Sequence, residues 1–271
     1  CPKKTNKMIV DQKPDFIIHL AAMVGGVKGN TDNISDFYYK NILINTNLLE
    51  ASRKNGIKKV LSLLSTCVYP DKVEYPLTED QIHNGEPHKS NFGYAYAKRM
   101  IDVQSRAIRQ QFGLKYITAI PNNLYGINDN FDLINGHVIP SLIRKIYEAK
   151  LRSKPVIIWG TGEPLREFTY SDDIARALIK LIDVYDEKEP LNIGKIGEIS
   201  IFDLVKKICK ILDYNGEVIW DKSKIEGQYR KPSSNKNFMN ICKDFKYTSL
   251  DKGLKLTCEW FVNNYPNIRG F

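Results

Sequence analysis

Phe16-Ile17-Ile18-His19-Leu20-Ala21-Ala22 is a short apolar run, and Lys59-Val60-Leu61-Ser62-Leu63-Leu64 is a second. Between them, apolar residues over 33–55 recur with a helical period that Gly56 stops. Two buried strands joined by a helix make a βαβ unit, and the pattern continues outward. A Pro/Gly-rich stretch over 69–91 leads into a long amphipathic helix over about 94–111 and a strand at 116–120. Helices are predicted at 138–149, 172–185, 201–212 and 253–264, and strands at 156–159, 190–193 and 217–220. Such alternation predicts an α/β fold whose parallel sheet is covered on both faces. The units shorten after about Thr161. This predicts a main sheet domain over 1–160 and a smaller, partly interleaved C-terminal lobe over 161–271.

The chain of 271 residues is 42% hydrophobic, 11% aromatic and 26% charged, which supplies a sizeable core and excludes a disordered or collagen-like chain. No run approaches the about 18 apolar residues of a membrane span, and the N-terminal residues lack the apolar centre of a secretory signal. The five cysteines, Cys1, Cys67, Cys209, Cys242 and Cys258, are scattered and form no Cys-x-x-Cys pair. Neither a disulfide framework nor a metal site is expected, and reduced thiols fit a cytoplasmic protein. Lys and Arg number 40 against 31 Asp and Glu, a net charge of +9. The basic residues are dispersed, so nucleic acid and membrane are not expected partners.

Two stretches carry chemistry. Tyr94 and Lys98 stand four residues apart at the start of a predicted helix, on one face. A phenol titrates near about 10, so it works near neutrality only if a cation steadies its phenolate, and Lys98 is placed to be that cation. Taken alone, the pair also reads as an ordinary surface contact. The run Leu63-Leu64-Ser65-Thr66-Cys67-Val68-Tyr69-Pro70 ends a buried strand, the place where open parallel sheets hold ligands. The Ser65 and Tyr94 hydroxyls together can hold a carbonyl oxygen and stabilise charge growing on it. Cys67 by itself reads equally well as a small buried hydrophobe. His19 reads as structural or lining a cleft, and His83 and His88 as solvated loop residues.

These features, with Pro121-Asn122-Asn123-Leu124-Tyr125-Gly126, resemble the extended short-chain dehydrogenase/reductases that act on nucleotide sugars. Within them, the sequence is similar to the GDP-L-fucose synthase family in several runs. These are His19-Leu20-Ala21-Ala22-Met23-Val24-Gly25-Gly26, Asn91-Phe92-Gly93-Tyr94-Ala95-Tyr96-Ala97-Lys98, Asn135-Gly136-His137-Val138-Ile139-Pro140, Trp159-Gly160-Thr161-Gly162-Glu163-Pro164-Leu165-Arg166 and Gly227-Gln228-Tyr229-Arg230-Lys231. The resemblance implies a Rossmann-like, doubly wound parallel sheet with a C-terminal α/β substrate lobe. It implies epimerisation of GDP-4-keto-6-deoxy-D-mannose at C3 and C5, then NADPH-dependent reduction at C4. Ser65, Cys67, Tyr94, Lys98 and His137 would be catalytic, with Cys67 the base and His137 the acid of epimerisation. NADP(H) would lie against Ala21, Ala22, Leu63, Leu64, Ser65, Thr66, Lys98, Pro121, Asn122, Asn123, Leu124 and His137. The substrate would meet Lys145, Trp159, Arg166 and Glu226, with Lys145 standing where some members carry Arg. A homodimer through the helices at 33–55 and 94–111 is also implied.

The family's opening Gly-x-x-Gly-x-x-Gly turn, which receives the cofactor pyrophosphate at a helix N-terminus, has no counterpart here. Gly25-Gly26-Val27-Lys28-Gly29 has the wrong spacing for it. The sheet is therefore expected to lack its first βαβ elements, roughly 50 residues given about 30 for a minimal unit plus the next helix, and the chain to bind NADPH weakly or not at all. Two readings stay open: the epimerase-reductase, or a binding protein with the same pocket and impaired catalysis. A related 4-epimerase is disfavoured, because it would need neither Cys67 nor His137.

Overall fold

The computed structural model describes residues 1–223 and 227–271, apart from the side chains of residues 27 and 28. Its first half runs α1 (Pro2–Gln12), β1 (Phe16–His19), α2 (Val27–Asp32), α3 (Ile34–Lys54), β2 (Lys59–Leu63), α4 (Phe92–Phe112), β3 (Lys115–Ile120), β4 (Asn123–Tyr125) and α5 (Val138–Arg152). Then come β5 (Val156–Trp159), β6 (Leu165–Tyr170), α6 (Ser171–Val184), β7 (Leu191–Asn192), β8 (Glu198–Ser200), α7 (Ile201–Leu212), β9 (Val218–Asp221), α8 (Lys236–Ile241) and α9 (Leu250–Asn264).

β1, β2, β3 and β7 form a parallel sheet in that order, with Ile17 beside Val60 and Leu61 beside Ile117. Successive strand residues point to opposite faces, and here both faces are buried. Val60, Tyr116 and Ile120 pack beneath α1, α3 and α4 with Ile9, Leu49 and Ile101. Their neighbours Leu61, Ile117 and Ala119 pack on the other face against Ile174, Leu178 and Leu181 of α6 and Phe238 of α8. This two-faced burial explains why the strands read as continuous apolar runs rather than alternating ones.

A second core is built by α5, α7, α9 and the short strands. β4 pairs with β6 and β6 with β8, while β5 pairs with β9. Its residues come from both sides of position 160: Tyr125, Phe131, Ile139 and Val156 pack with Leu204, Leu254 and Phe261. α6 and β7 return to the main sheet, so the chain crosses between the two cores more than once.

Most strands and long helices follow the sequence reading to within a few residues. α1, α2, α8 and the strands β4, β6 and β8 are additions. Residues 1–12, for which the sequence reading named no element, hold a helix with Pro2 at its start and only Ile9 buried. β1 stops at His19, because its ladder with β2 ends at the His19 and Ser62 pair, and residues 20–22 run on without a partner strand.

Candidate active site

The site is assembled where β2 leaves the sheet. The Leu64 N–H still bonds the Ala119 carbonyl at 2.8 Å, then residues Thr66–Val68 coil into a short 3₁₀ turn. Ser65 caps that turn by accepting from the Cys67 N–H at 3.3 Å. Ser65 and Cys67 are half-buried, while Thr66 and Leu64 are buried.

Helix α4 is laid directly across this turn. Its first residues sit hard against the start of α3, where a Cβ on Gly93 would come 2.4 Å from the Ile34 carbonyl oxygen. Only glycine permits that approach, and the next residue is Tyr94. The Tyr94 hydroxyl hydrogen-bonds Ser65, and its ring meets Phe37 edge-on with centroids 6.5 Å apart. Burial pushes the Tyr94 phenol well above its ordinary range, the nearby Cys67 adds to that, and the Ser65 bond opposes it. Lys98 is 3% exposed, and its Nζ donates to the Leu63 carbonyl at 2.7 Å. Burial lowers its pKa to about 8, with the neighbouring Cys67 acting in the opposite sense.

The cation expected to steady a Tyr94 phenolate is thus aimed at the strand end. Its Nζ lies 5.9 Å from the Tyr94 ring centre, and the phenol stays protonated. The reason is local: the Leu63 carbonyl has lost its strand neighbour and needs a donor, and a buried ammonium needs an acceptor.

Lys231 was not singled out by sequence reasoning. It stands in an extended strap anchored by the Leu165 N–H to the Tyr229 carbonyl, the Leu77 N–H to the Pro232 carbonyl, and the Ser233 N–H to Glu167, at 2.8, 2.8 and 3.0 Å. Arg230 pairs outward with Glu198. Lys231 interacts with Cys67, Arg166 and Asp71, and burial lowers its pKa. The signal available was its place beside the Gly227-Gln228-Tyr229-Arg230 run.

The remaining predicted residues fall around this centre. Ala21 and Ala22 follow β1, where the Met23 N–H bonds the Asn41 side chain at 2.9 Å. Pro121, Asn122, Asn123 and Leu124 follow β3. The Asn122 side chain is used up inside the protein: its Nδ2 donates to the Lys195 carbonyl at 2.8 Å and its Oδ1 accepts from Thr169 at 2.6 Å. Asn123 donates to the Glu167 carbonyl at 2.8 Å. His137 caps the start of α5 and is exposed, and Asp129, whose pKa burial raises, faces both it and Arg269. Gly136, beside it, packs its carbonyl 3.4 Å from where a Gly26 Cβ would stand, bringing this loop against the mouth that follows β1.

On the C-terminal side, Lys145 lies over the Trp159 ring at 4.4 Å, and burial lowers its pKa. Arg166 donates to the Leu165 and Tyr229 carbonyls at 2.7 and 3.2 Å. Glu226 lies outside the described residues. His19 is structural: it is 3% exposed and bonds Asn45 at 2.9 Å. His83, expected in solvent, is exposed, and His88, expected there too, is half-buried. His83 bonds the buried Asp102 at 2.8 Å, because that carboxylate on the inner face of α4 needs a partner, and His88 accepts the Ser90 N–H.

The NAD dependent epimerase/dehydratase family matches residues 2–194. A GDP-L-fucose synthase of Dictyostelium discoideum is 44% identical over 95% of this chain and 81% of its own length. A probable GDP-L-fucose synthase of Drosophila melanogaster is 38% identical over 98% of this chain and 85% of its own. The chain belongs to the GDP-L-fucose synthase family. Among solved structures, a GDP-L-fucose synthetase from Naegleria fowleri bound to NADP superposes with a TM-score of 0.93, at 38% identity over 99% of this chain and 83% of that one. The chain thus spans about four-fifths of these relatives, and the reading as a catalytically impaired binding protein finds no support among them.

Proposed function

We propose that the protein converts GDP-4-keto-6-deoxy-D-mannose to GDP-L-fucose, by epimerisation at C3 and C5 and then NADPH-dependent reduction at C4. The observation that carries this reading is a single turn that presents Ser65, bonded to Tyr94, together with Cys67, over a buried Lys98. One oxygen-holding pair and one base in the same turn suit a substrate whose C4 carbonyl acidifies the protons on its neighbouring carbons.

Ser65 and Tyr94 hold the C4 oxygen as it gains charge. Cys67 removes a proton from one face of the sugar and His137 returns one to the other, so the configuration inverts without net proton loss. A Tyr94 phenol kept protonated by burial is suited to donating its proton to the C4 oxygen in the reduction. NADPH supplies the hydride when bound. The donor set fits it: a buried lysine, small Ala21 and Ala22, and the ends of β1, β2 and β3, with Asn122 contributing through its backbone because its side chain is taken. Lys145, Trp159 and Arg166, with Glu226, receive the nucleotide-sugar. Residues 1–160 form the cofactor half and 161–271 chiefly the substrate lobe, their cores interleaved as described.

The exposed Tyr38, Tyr39, Phe92 and Val103 on α3 and α4 support a homodimer through these helices. Five free cysteines support a cytoplasmic location, and no described helix is long and apolar enough to cross a membrane. The test is to supply the keto sugar with NADPH: the full-length protein is expected to consume NADPH and form GDP-L-fucose, and unchanged NADPH would contradict the proposal.

A further inference from the structure

We propose that Arg99 is a positioning residue for Cys67, holding the base of epimerisation in place independently of the groups that serve reduction. This rests on the function proposed above. The turn Thr66–Val68 has little hold on itself, since 3₁₀ bonds are few and poorly aligned in so short a piece. Its position is set from α4. Lys98 takes the Leu63 carbonyl, before the turn, at 2.7 Å. The adjacent Arg99 takes the Val68 carbonyl, at the end of the turn and next to Cys67, with its Nε at 2.6 Å. Its Nη1 donates to the Gly85 carbonyl at 2.7 Å, tying the 69–91 loop to the same point.

Arg99 is a costly device if its only work is to fill space. It is 4% exposed, lies over the Tyr96 ring at 5.3 Å, and has no carboxylate partner among the described residues. Its Nη2 is buried without a hydrogen-bond partner. A buried guanidinium answered only by carbonyls and a ring is expensive, and what it secures is the far end of the Cys67 turn.

The two ends of the turn therefore have different keepers. Ser65 lies toward the Lys98 end and is bonded by Tyr94, whereas Cys67 lies toward the Arg99 end. Loosening Arg99 should displace the base and leave the Ser65–Tyr94 pair where it is. A misplacement near 1 Å costs about 100-fold in rate.

The test compares two reactions of one enzyme preparation. Solvent deuterium uptake at C3 and C5 of the keto sugar reads Cys67; oxidation of GDP-L-fucose by NADP⁺, which needs no epimerisation, reads Ser65, Tyr94 and Lys98. Both rates scale with the amount of folded enzyme, so their ratio is insensitive to partial unfolding. For Arg99→Met the ratio of deuterium uptake to oxidation is expected to fall by about 10- to 100-fold, and Arg99→Lys, which keeps one donor, should recover part of it. A ratio unchanged in Arg99→Met, with both rates falling together or neither falling, overturns the proposal. Absence of both reactions in the unaltered protein would instead overturn the function on which it rests.

Discussion

The turn after β2 and the residues proposed to meet the nucleotide-sugar, Lys145 with Trp159 and, on β6, Arg166, are held in different ways. In the first, backbone carbonyls and hydroxyls are met by buried side chains of one helix: Lys98 on Leu63, Arg99 on Val68, Tyr94 on Ser65. In the second, an exposed Trp159 carries a lysine on its ring, and Arg166 rests on backbone carbonyls. On the function proposed above, Ser65 and Tyr94 stand in fixed positions before substrate arrives, whereas the exposed His137 and Trp159 do not. Preorganisation matters most where charge develops in the transition state.

If this contrast is right, substitutions in the fixed region should act on rate and those on the open face on affinity. Tyr94→Phe removes the proton donor and one holder of the C4 oxygen. It should slow NADPH consumption by about 10²- to 10⁴-fold with little change in substrate KM; a change confined to KM would break the contrast. Cys67→Ser should cut deuterium uptake at C3 and C5 by a comparable factor while GDP-L-fucose oxidation by NADP⁺ continues within a few-fold.

How much of this could be read from sequence differs between the same two regions. Ser65, Tyr94 and Lys98 stood out because strand ends and an i, i+4 pair have fixed geometric meaning, whereas Cys67 was singled out only through the family resemblance. The direction of Lys98 was not, since it depends on which carbonyl the end of β2 leaves without a partner. Arg99 was invisible for a related reason: it follows Lys98 on the helix, and only the path of the 66–85 loop brings Val68 and Gly85 to it. The strand carrying Arg166 escaped notice because β6 draws its register from β4 and β8, both three residues long and too short to show a period. The role expected of Asn122 was narrowed by Thr169 and Lys195, which are distant in the chain.

Lys98 offers a smaller effect with a pH signature. Its pKa in the folded protein, about 8, is below the ordinary 10.5. Above about 8 the folded chain releases this proton while the unfolded chain keeps it. The cost of burying the charge is present below that point and is relieved as pH rises toward 10.5, so stability should increase across this window. Denaturant melts should show a smaller rise in Lys98→Met than in the unaltered chain, because Lys145 and Lys231, whose pKa values burial also lowers, remain. Activity should move the other way, falling above about pH 8 as the ammonium is lost; activity flat to pH 10 would contradict a charged Lys98. Smallest of all, Trp159→Ala should raise the KM for the nucleotide-sugar by about 3- to 30-fold through loss of the ring beneath Lys145, with kcat nearly unchanged. A fall in kcat alone would place Trp159 with the fixed region instead.

The central claim is that one turn serves both half-reactions, and the reaction run in D₂O tests it most directly. With GDP-4-keto-6-deoxy-D-mannose and NADPH, the GDP-L-fucose formed should carry deuterium at C3 and C5 and the hydride of NADPH at C4. NADPH consumption giving a reduced sugar without deuterium at either carbon would contradict the account.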